Sequence, residues 1–413
     1  MKAEILSIGD ELLVGRTVNN NAAFMGRLLT EISVDVQWLS SVGDSLDRIV
    51  EAIENAWNRA DIILMTGGLG PTHDDITKDA LCRFFGVEYE YHEDIVEEVF
   101  ARYRKRGIEM PEIVKNQGLI PAGAELFRNE FGSAFGICFR KNGRILVAMP
   151  GVPFEMERMM IDSVIPFLKT QADSHIILMQ PIKTAGIFES KLVTSFPRLE
   201  SVRKLADVAV LPSVTGVELR LTVKDNNKEN AERRMQQALK ITQEDIGEWI
   251  VTVGDESMEE IIISELRRLK MTVSTAESCT GGLVGDMLTN VSRSSKCFVG
   301  GVISYSNTVK QEWLGVPADM LNAYGAVSAE VACAMAQGVR TRMKTDFGVS
   351  TTGIAGPGGA TETKPVGLAY VAVAGPKGAS HEKVLFNINR RLNKQRFAIA
   401  ALNLLRKTLR LFR

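Results

Sequence analysis

The feature that most limits how this chain can fold is an alternation of short apolar runs with amphipathic stretches, which occurs near both ends of its 413 residues. Strands that alternate with helices in this way form largely parallel sheets with helices on both faces. The sequence therefore predicts an α/β protein with two three-layer α/β/α domains. The strand-like runs are 4–8, 34–42, 62–66 and 145–149 in the first part, and 272–275, 298–305, 348–352 and 367–373 in the last.

The middle of the chain has a different pattern, which begins around 169–174. Its segments indicate the order β, α, β, β, α, which predicts a small α+β module between the two larger domains. These segments are 176–183, 187–196, 208–211, 216–223 and 229–247. We predict three domains with the limits 1–170, 171–253 and 254–413.

The composition argues against a nucleic-acid-binding, a disulfide-linked and a membrane-spanning protein. The 49 Lys and Arg residues nearly balance 50 Asp and Glu residues, so no overall field draws the chain to nucleic acid or to a membrane. The five cysteines are scattered without a CxxC pair, and no apolar run approaches the roughly 18 residues of a membrane span. We expect a cytoplasmic protein. The basic stretch 381–413 predicts a docked terminal helix with a solvated face.

The turn TAESCTGG (275–282) lies between a strand and a helix, which places Ser278 or Cys279 at a helix N-terminus. Free backbone N–H groups there can hold an anion or a developing oxyanion. An ordinary N-cap followed by a tight Gly-Gly turn is the alternative. The predicted substrate contacts of this turn are Glu277, Cys279, Thr280, Gly281 and Gly282.

A hydroxyl nucleophile needs a base, and YSNTVK (305–310) offers one at the same sheet edge. Of the four histidines only His381 lies in this domain, whereas a desolvated lysine can accept a hydroxyl proton. We therefore predict a catalytic set of Ser278, Tyr305 and Lys310. Cys279 stays a competitor, because helix N-termini lower thiol pKa values. The loop TGIAGP (352–357) adds backbone donors, including that of Gly353.

The motif series of the last domain resembles that of the CinA family. The motifs are AESCTGG (276–282), YSNTVK (305–310), YGAVS (324–328), GIAGP (353–357) and KPVG (364–367). The resemblance implies metal-free hydrolysis of nicotinamide mononucleotide to nicotinic acid mononucleotide and ammonia. It makes Ser278 the nucleophile, Lys310 the base and Tyr305 its partner, and it implies substrate contacts from Thr352 and Arg390. Because the family's usual glycine and acid are missing from FNINRR (386–391), Arg391 is an alternative to Arg390.

The first domain also resembles the CinA family, whose corresponding domain is similar to molybdopterin-binding proteins. The motifs are IGDELLVG (8–15), TGGLGPTHDDIT (66–77) and PGVPFEM (150–156). Glycines let backbone amides approach phosphate oxygens, and carboxylates are hard ligands for a divalent cation. The predicted phosphate contacts are Gly67, Gly68, Gly70 and Thr72, and the predicted metal ligands are Asp10, Glu11, Asp74, Asp75 and Glu155.

The resemblance implies that this domain is an ADP-ribose pyrophosphatase that yields AMP and ribose 5-phosphate. Its cofactor would be Mg, Mn or Co, with or without a monovalent cation. The alternative is that Asp74 and Asp75 cap the following helix and Glu155 occupies a helix's first turn, where carboxylates are stabilised anyway.

The middle module, with KTAGIFES (183–190) and PSVTGVELRLT (212–222), resembles the KH-like domain of full-length CinA proteins. An RNA-binding KH domain needs a GxxG loop, and none occurs within 174–250. We therefore expect a spacer or dimerisation role and no direct nucleic-acid binding.

Together these features predict a bifunctional, homodimeric hydrolase of pyridine nucleotide salvage, whose partners are the small-molecule nucleotides. The alternative from another class is a non-catalytic nucleotide sensor or an adaptor associated with competence and DNA damage. A molybdopterin-binding protein would explain the first domain alone.

Overall fold

The computed structural model describes residues 1–105, 107–171, 176–213, 216–386 and 388–412. Two compact units make up the chain, Met1–Met179 with Val223–Arg234 and Gln180–Thr222 with Met235–Arg413. The described residues form a six-stranded, a four-stranded and a five-stranded sheet, together with a two-stranded ribbon. The predicted α/β class, with two three-layer domains and a small α+β module, is confirmed. The domain limits stay a prediction, and 172–175, next to the first limit, lie outside the described residues.

The six-stranded sheet belongs to the first unit and has the order β2-β1-β3-β8-β7-β6. Strands β2, β1, β3 and β8 are parallel to one another, whereas β7 pairs antiparallel with both β8 and β6. The strands are β1 (Lys2–Ile8), β2 (Asp35–Val42), β3 (Ile62–Thr66), β4 (Tyr89–Tyr91), β5 (Leu119–Pro121), β6 (Glu125–Phe127), β7 (Gly136–Lys141) and β8 (Arg144–Met149). Strands β4 and β5 form the separate ribbon.

Helices cover both faces of this sheet, because β1 and β3 are apolar and buried throughout most of their lengths. One core includes residues of α2 and α6, and the other includes residues of α3 and α4. The helices are α1 (Asp10–Leu13), α2 (Asn20–Glu31), α3 (Leu46–Arg59), α4 (Thr77–Phe85), α5 (Glu93–Lys105), α6 (Pro153–Met159) and α7 (Ile165–Lys169), with a 3₁₀ segment Glu112–Gly118 and a π segment Met160–Val164.

The four-stranded sheet has the order β10-β11-β9-β12 and forms the small module. Its strands are β9 (Ile176–Thr184), β10 (Asp207–Pro212), β11 (Val217–Asp225) and β12 (Ile250–Val253). Its helices are α8 (Glu189–Thr194), α9 (Leu199–Arg203) and α10 (Lys228–Ile246). The sequence did not predict β12, which is four residues long and pairs antiparallel with β9.

The five-stranded sheet has the order β14-β13-β15-β16-β17, in which the first three strands are parallel and the last two form an antiparallel hairpin. Its strands are β13 (Val273–Glu277), β14 (Phe298–Ile303), β15 (Phe347–Gly353), β16 (Leu368–Gly375) and β17 (Gly378–Leu385). Its helices are α11 (Met258–Leu269), α12 (Leu283–Thr289), α13 (Asn307–Leu314), α14 (Ala318–Tyr324), α15 (Ala329–Met343) and α16 (Arg390–Arg410), with a 3₁₀ turn Ser294–Lys296. Helices α11, α12 and α16 cover one face, and α13 to α15 cover the other.

The basic C-terminal stretch is only partly the helix that the sequence predicts. Residues 381–385 end β17, and α16 begins at Arg390. Phe397, Leu402 and Leu405 are fully buried on this helix, so its docking is apolar in origin. In the described part of the chain, no helix combines the length and apolar character needed to cross a membrane.

Candidate active site

The turn that follows β13 carries the predicted nucleophile. Ser278 is 9% exposed, and its backbone N–H donates to the Thr351 carbonyl of the neighbouring strand, at 3.0 Å. Gly281 and Gly282 have φ values of 64° and 98°. Because residues with a Cβ rarely adopt this left-handed region, both positions require glycine. The Gly-Gly pair thus lets the chain reverse sharply enough to start α12.

The N-terminus of α12 is filled by the chain's own carboxylate. Glu277, which is 2% exposed, accepts hydrogen bonds from the Thr280 hydroxyl at 2.7 Å and from the amides of Gly282, Val284 and Gly285 at 2.8–3.0 Å. These three amides are therefore already used within the turn, which Glu277 and Thr280 stabilise, and the predicted substrate contacts of the turn stay predictions. In the described part of the chain, the amides of Thr280 and Gly281 have no acceptor.

We expect Glu277→Ala to lower the stability of the last domain by about 3 kcal/mol, because three buried or partly buried amides and a buried hydroxyl would lose a charged acceptor. Thermal unfolding followed by circular dichroism measures the change. Glu312→Ala, which removes an exposed carboxylate from α13, is the control. Equal melting temperatures for the two variants would contradict the stabilising role of Glu277.

Lys310, on α13, lies directly beside the nucleophile. Its Nζ is 3.2 Å from Ser278 Oγ, 2.7 Å from the Ser304 carbonyl oxygen and 3.5 Å from the Tyr305 carbonyl oxygen. The side chain is 1% exposed, and burial lowers the pKa of Lys310 below that of a free lysine. No carboxylate of the described residues forms an ion pair with it. The lysine is therefore suited to lose its proton and act as a base.

Cys279, the competing nucleophile, is packed into the domain interior. It is 6% exposed and belongs to an apolar cluster with Ala355, Ala369 and Phe397. Burial raises the pKa of the Cys279 thiol to about 12. A thiol in this environment stays protonated at neutral pH and is a poor nucleophile. The geometry favours Ser278 over Cys279.

Tyr305 does not direct its phenol group at the Ser278–Lys310 pair. The side chain is 65% exposed, and its hydroxyl accepts a hydrogen bond from Arg390 Nη2 at 3.0 Å. Only the Tyr305 backbone carbonyl contacts Lys310. Ser304, which the sequence did not predict, holds the loop, because its N–H donates to the Glu277 carbonyl at 2.7 Å and its own carbonyl accepts from Lys310.

Two cations lie beside the turn. Arg390 donates to the Gly356 carbonyl at 2.6 Å and to the Tyr305 hydroxyl, neither of which carries a negative charge. A Cβ added to Gly281 would lie 3.4 Å from Lys394 Nζ, and no described carboxylate pairs with Lys394. Lys394 was not predicted, although it lies one turn after Arg390 on α16 and so on the same face. Arg391 is exposed and has no contact with Tyr305.

The hydroxyl of Thr352, a predicted substrate contact, already makes a hydrogen bond within the protein. Thr352 is 1% exposed, and its hydroxyl donates to the Ala326 carbonyl at 2.6 Å. The backbone of Gly353 pairs with Ala369 in β16. The first contact ties the YGAVS loop to β15 and the second belongs to the β15–β16 ladder, so both residues have structural partners.

In the first unit, the glycine loop after β3 is held by close backbone packing. Gly67 and Gly68 have φ values of 107° and 65°, and the Gly67 amide donates to the Met149 carbonyl at 3.1 Å. The Gly67 amide is therefore already used within the protein, and the predicted phosphate contacts of this loop stay predictions. Among the described residues, the amides of Gly68 and Gly70 have no acceptor.

The five predicted metal ligands do not form one group. Asp75 accepts from the Thr72 amide at 3.0 Å, and Glu155 accepts from Asn129 at 2.6 Å. No three His, Cys, Asp or Glu side chains of the described residues are placed to hold a metal ion. These residues therefore do not fit a five-carboxylate metal site, and Thr72 and Asp75 instead stabilise their own turn. The metal requirement stays a prediction.

Asp44 adds an acidic group that the sequence analysis missed. Burial raises its pKa above that of a free aspartate, and the nearby charges of Asp10, Glu11 and Asp74 raise it further. Its carboxylate accepts from the Asp10 amide at 3.0 Å. Asp44 follows β2 as Asp10 follows β1, so its position beyond the carboxyl end of a parallel strand is the signal that could have found it.

The fold and the site define an α/β protein of three parts, with a serine–lysine pair at the edge of its last sheet. Three family models match consecutive parts of the chain: "Probable molybdopterin binding domain" over 4–170, "Damage-inducible protein CinA KH domain" over 180–252 and "CinA C-terminal domain" over 255–409. A CinA-like protein of Chloroherpeton thalassium is 40% identical over 99% of both chains. A CinA-like protein of Kosmotoga olearia is 37% identical, again over 99% of both.

The chain belongs to the CinA family. Among solved structures it is similar to a competence/damage inducible protein from Agrobacterium tumefaciens, with 37% identity, 38% of this chain and 97% of that chain covered, and a TM-score of 0.36.

Proposed function

We propose that the last domain is a nicotinamide mononucleotide deamidase in which Ser278 is the nucleophile and Lys310 the base. The observation that supports this best is the 3.2 Å separation of Lys310 Nζ and Ser278 Oγ in a buried setting. A neutral amine can donate two hydrogen bonds and accept one. The two carbonyls and the hydroxyl around Lys310 match that number.

In the first step, Lys310 Nζ accepts the Ser278 hydroxyl proton while Oγ attacks the carboxamide carbon. The C–O bond forms, and the carbonyl oxygen becomes an oxyanion. The amides of Thr280 and Gly281 are the donors available to it, because Glu277 occupies the others of the turn.

In the second step, the oxyanion collapses and the C–N bond breaks. Lys310 returns its proton to the departing nitrogen, which leaves as ammonia. Water then gives a proton to Lys310 and adds to the acyl carbon, after which the bond to Oγ breaks and the serine regains its proton. The products are nicotinic acid mononucleotide and ammonia.

The presence of Arg390 and Lys394 favours a substrate that carries a phosphate. Both are cations that lack a carboxylate partner among the described residues, and both lie beside the turn. A phosphate would accept charge-assisted hydrogen bonds from them. In this proposal Tyr305 orients Arg390 and takes no part in proton transfer.

Lys394→Met should raise KM for nicotinamide mononucleotide about tenfold, because one charge-assisted contact to the phosphate is lost. The KM for nicotinamide riboside, which lacks the phosphate, should stay unchanged. Initial rates of ammonia release with both substrates measure this, and Lys296→Gln, an exposed lysine of the same domain, is the control. Equal losses with both substrates would refute a phosphate contact.

The same two substrates test whether Arg390 or Arg391 contacts the phosphate. We expect Arg390→Gln to raise KM for the mononucleotide alone and Arg391→Gln to leave it unchanged, because Arg390 contacts Tyr305, whose backbone carbonyl lies beside Lys310, whereas Arg391 is exposed. The reverse result would assign the contact to Arg391.

The decisive test of the proposed activity is ammonia release from nicotinamide mononucleotide by the purified full chain, with and without EDTA. Release that EDTA does not change supports the deamidase. No release would refute it and would favour a non-catalytic nucleotide sensor or an adaptor.

A second proposed activity, ADP-ribose hydrolysis, belongs to the first domain. It is supported by the amides of Gly68 and Gly70, which have no acceptor among the described residues and could donate to a phosphate. AMP release from ADP-ribose with Mg, Mn or Co and with EDTA tests it. No AMP with any metal would leave this domain as a binding module.

A further inference from the structure

A cavity of about 340 Å³ lies between the loop after β9 and the surface formed by β17 and α16. All of its lining residues belong to the second compact unit. Apolar side chains form most of its walls, among them Ile187, Phe188, Val384, Ile399 and Ala400. Residues 185–189 of the KTAGIFES segment border the cavity together with Pro212 and Gly216, and the proposed deamidase site uses none of them.

Asn403 supplies a hydrogen-bond donor to this cavity. It is 3% exposed, and its Oδ1 accepts from Arg406 Nε at 3.1 Å and from Arg406 Nη2 at 2.8 Å. Because arginine only donates, these contacts fix the amide orientation, and the NH₂ group points the other way. There Nδ2 lies 3.4 Å from a Cβ added to Gly186, which lines the cavity. Among the described residues this NH₂ group has no acceptor, and it is not fully enclosed.

Arg396 supplies a positive charge to the same space. Its guanidinium lies 5.3 Å from the ring centre of Phe386, and no described carboxylate pairs with it. Lys407, the other cation of the lining, is already paired with Glu382 at 2.9 Å. The remaining acid, Glu189, is in the exposed first turn of α8. An anion that enters the cavity would therefore find one free cation and one free amide donor.

We propose that this cavity binds a small molecule with an apolar or aromatic body and one anionic group, such as a carboxylate or a sulfonate. The apolar walls take the body, and Phe188, which is 61% exposed, is free to stack on it. Arg396 and Asn403 hold the anionic group. The site is separate from Ser278 and does not depend on the deamidase proposal.

The probe for this site is 8-anilinonaphthalene-1-sulfonate, an aromatic sulfonate, titrated by fluorescence against the full chain. We expect binding at one site that Arg396→Gln weakens about tenfold, since one charge-assisted contact is lost. Ala400→Trp, which fills the cavity, should abolish binding. Phe188→Ala removes a side chain that is 61% exposed, so it should disturb the fold little, and it should weaken binding as well.

Lys240→Gln is the matched control, because it removes one positive charge from an exposed position of α10 outside the lining. Uncharged N-phenyl-1-naphthylamine should bind more weakly than the sulfonate and should not respond to Arg396→Gln. Sulfonate binding that survives both Ala400→Trp and Phe188→Ala would overturn the site. Equal binding of the two probes would overturn its preference for an anion.

Discussion

Ser278→Ala is expected to reduce ammonia release from nicotinamide mononucleotide by a thousand-fold or more, on the order of what other enzymes lose with a serine nucleophile. Among the described residues, the Ser278 hydroxyl is the only one at hydrogen-bond distance from Lys310 Nζ, and this variant removes it. Initial rates at saturating substrate measure the loss, and binding of the substrate by calorimetry should persist.

Cys279→Ala is the matched variant, one residue along the same turn. We expect it to keep most of the activity, because the thiol is buried among apolar side chains and protonated at neutral pH. A variant pair with the opposite outcome would make Cys279 the nucleophile. Equal, partial losses in both would argue against covalent catalysis by either residue.

Lys310→Arg is expected to cost about as much as the loss of the nucleophile, because a guanidinium cannot give up its proton at any accessible pH. The wild-type kcat/KM should rise with pH, about tenfold per unit, until it levels off at the pKa of Lys310. Burial lowers that pKa, so the plateau should begin below the usual lysine value of 10.5. A pH–rate profile measures both effects. An arginine variant that keeps the wild-type rise would exclude Lys310 as the base.

Lys310→Met tests whether Lys310 acts as a base or serves to stabilise the fold. A lysine whose pKa is lowered in the folded protein destabilises it most at pH values below that pKa. The methionine variant should therefore be inactive yet more stable than the wild type at neutral pH. This advantage should shrink as the pH rises through the pKa of folded Lys310 and vanish above about 10.5, the unfolded value. A variant that is both inactive and less stable would indicate a structural role.

The sequence predicted the buried parallel strands well, because their apolar runs are continuous and end at glycines. The run 62–66 coincides with β3, and 4–8 lies within β1. The antiparallel strands β6 and β7 were not predicted, because β6 has only three residues and the four buried residues of β7 are followed by two exposed ones, so neither has a clear period. The hairpin partner β17 is largely exposed, so it lacks the continuous apolar run by which the buried strands were recognised.

At the candidate site, strand order was enough to predict that the loops of Ser278 and Lys310 approach each other, since β13 and β14 are parallel neighbours. Side-chain directions were not predictable in this way. Glu277 turns back to bind the amides of α12, and the Tyr305 phenol turns outward to Arg390. The direction of the Tyr305 side chain depends on a partner distant in sequence, and that of Glu277 depends on a turn geometry that residue type alone does not determine. The catalytic roles themselves stay predictions.

The burial of Cys279 has a consequence for how the proposed enzyme would respond to oxidants. Peroxides and alkylating agents react with exposed thiolates, so enzymes that depend on one lose activity under oxidative stress. Here the sulfur beside the reacting hydroxyl lies within the apolar cluster of Phe397 and stays protonated. Deamidation by Ser278 would therefore continue under conditions that inactivate a thiol-dependent amidase, without a reductant to regenerate it.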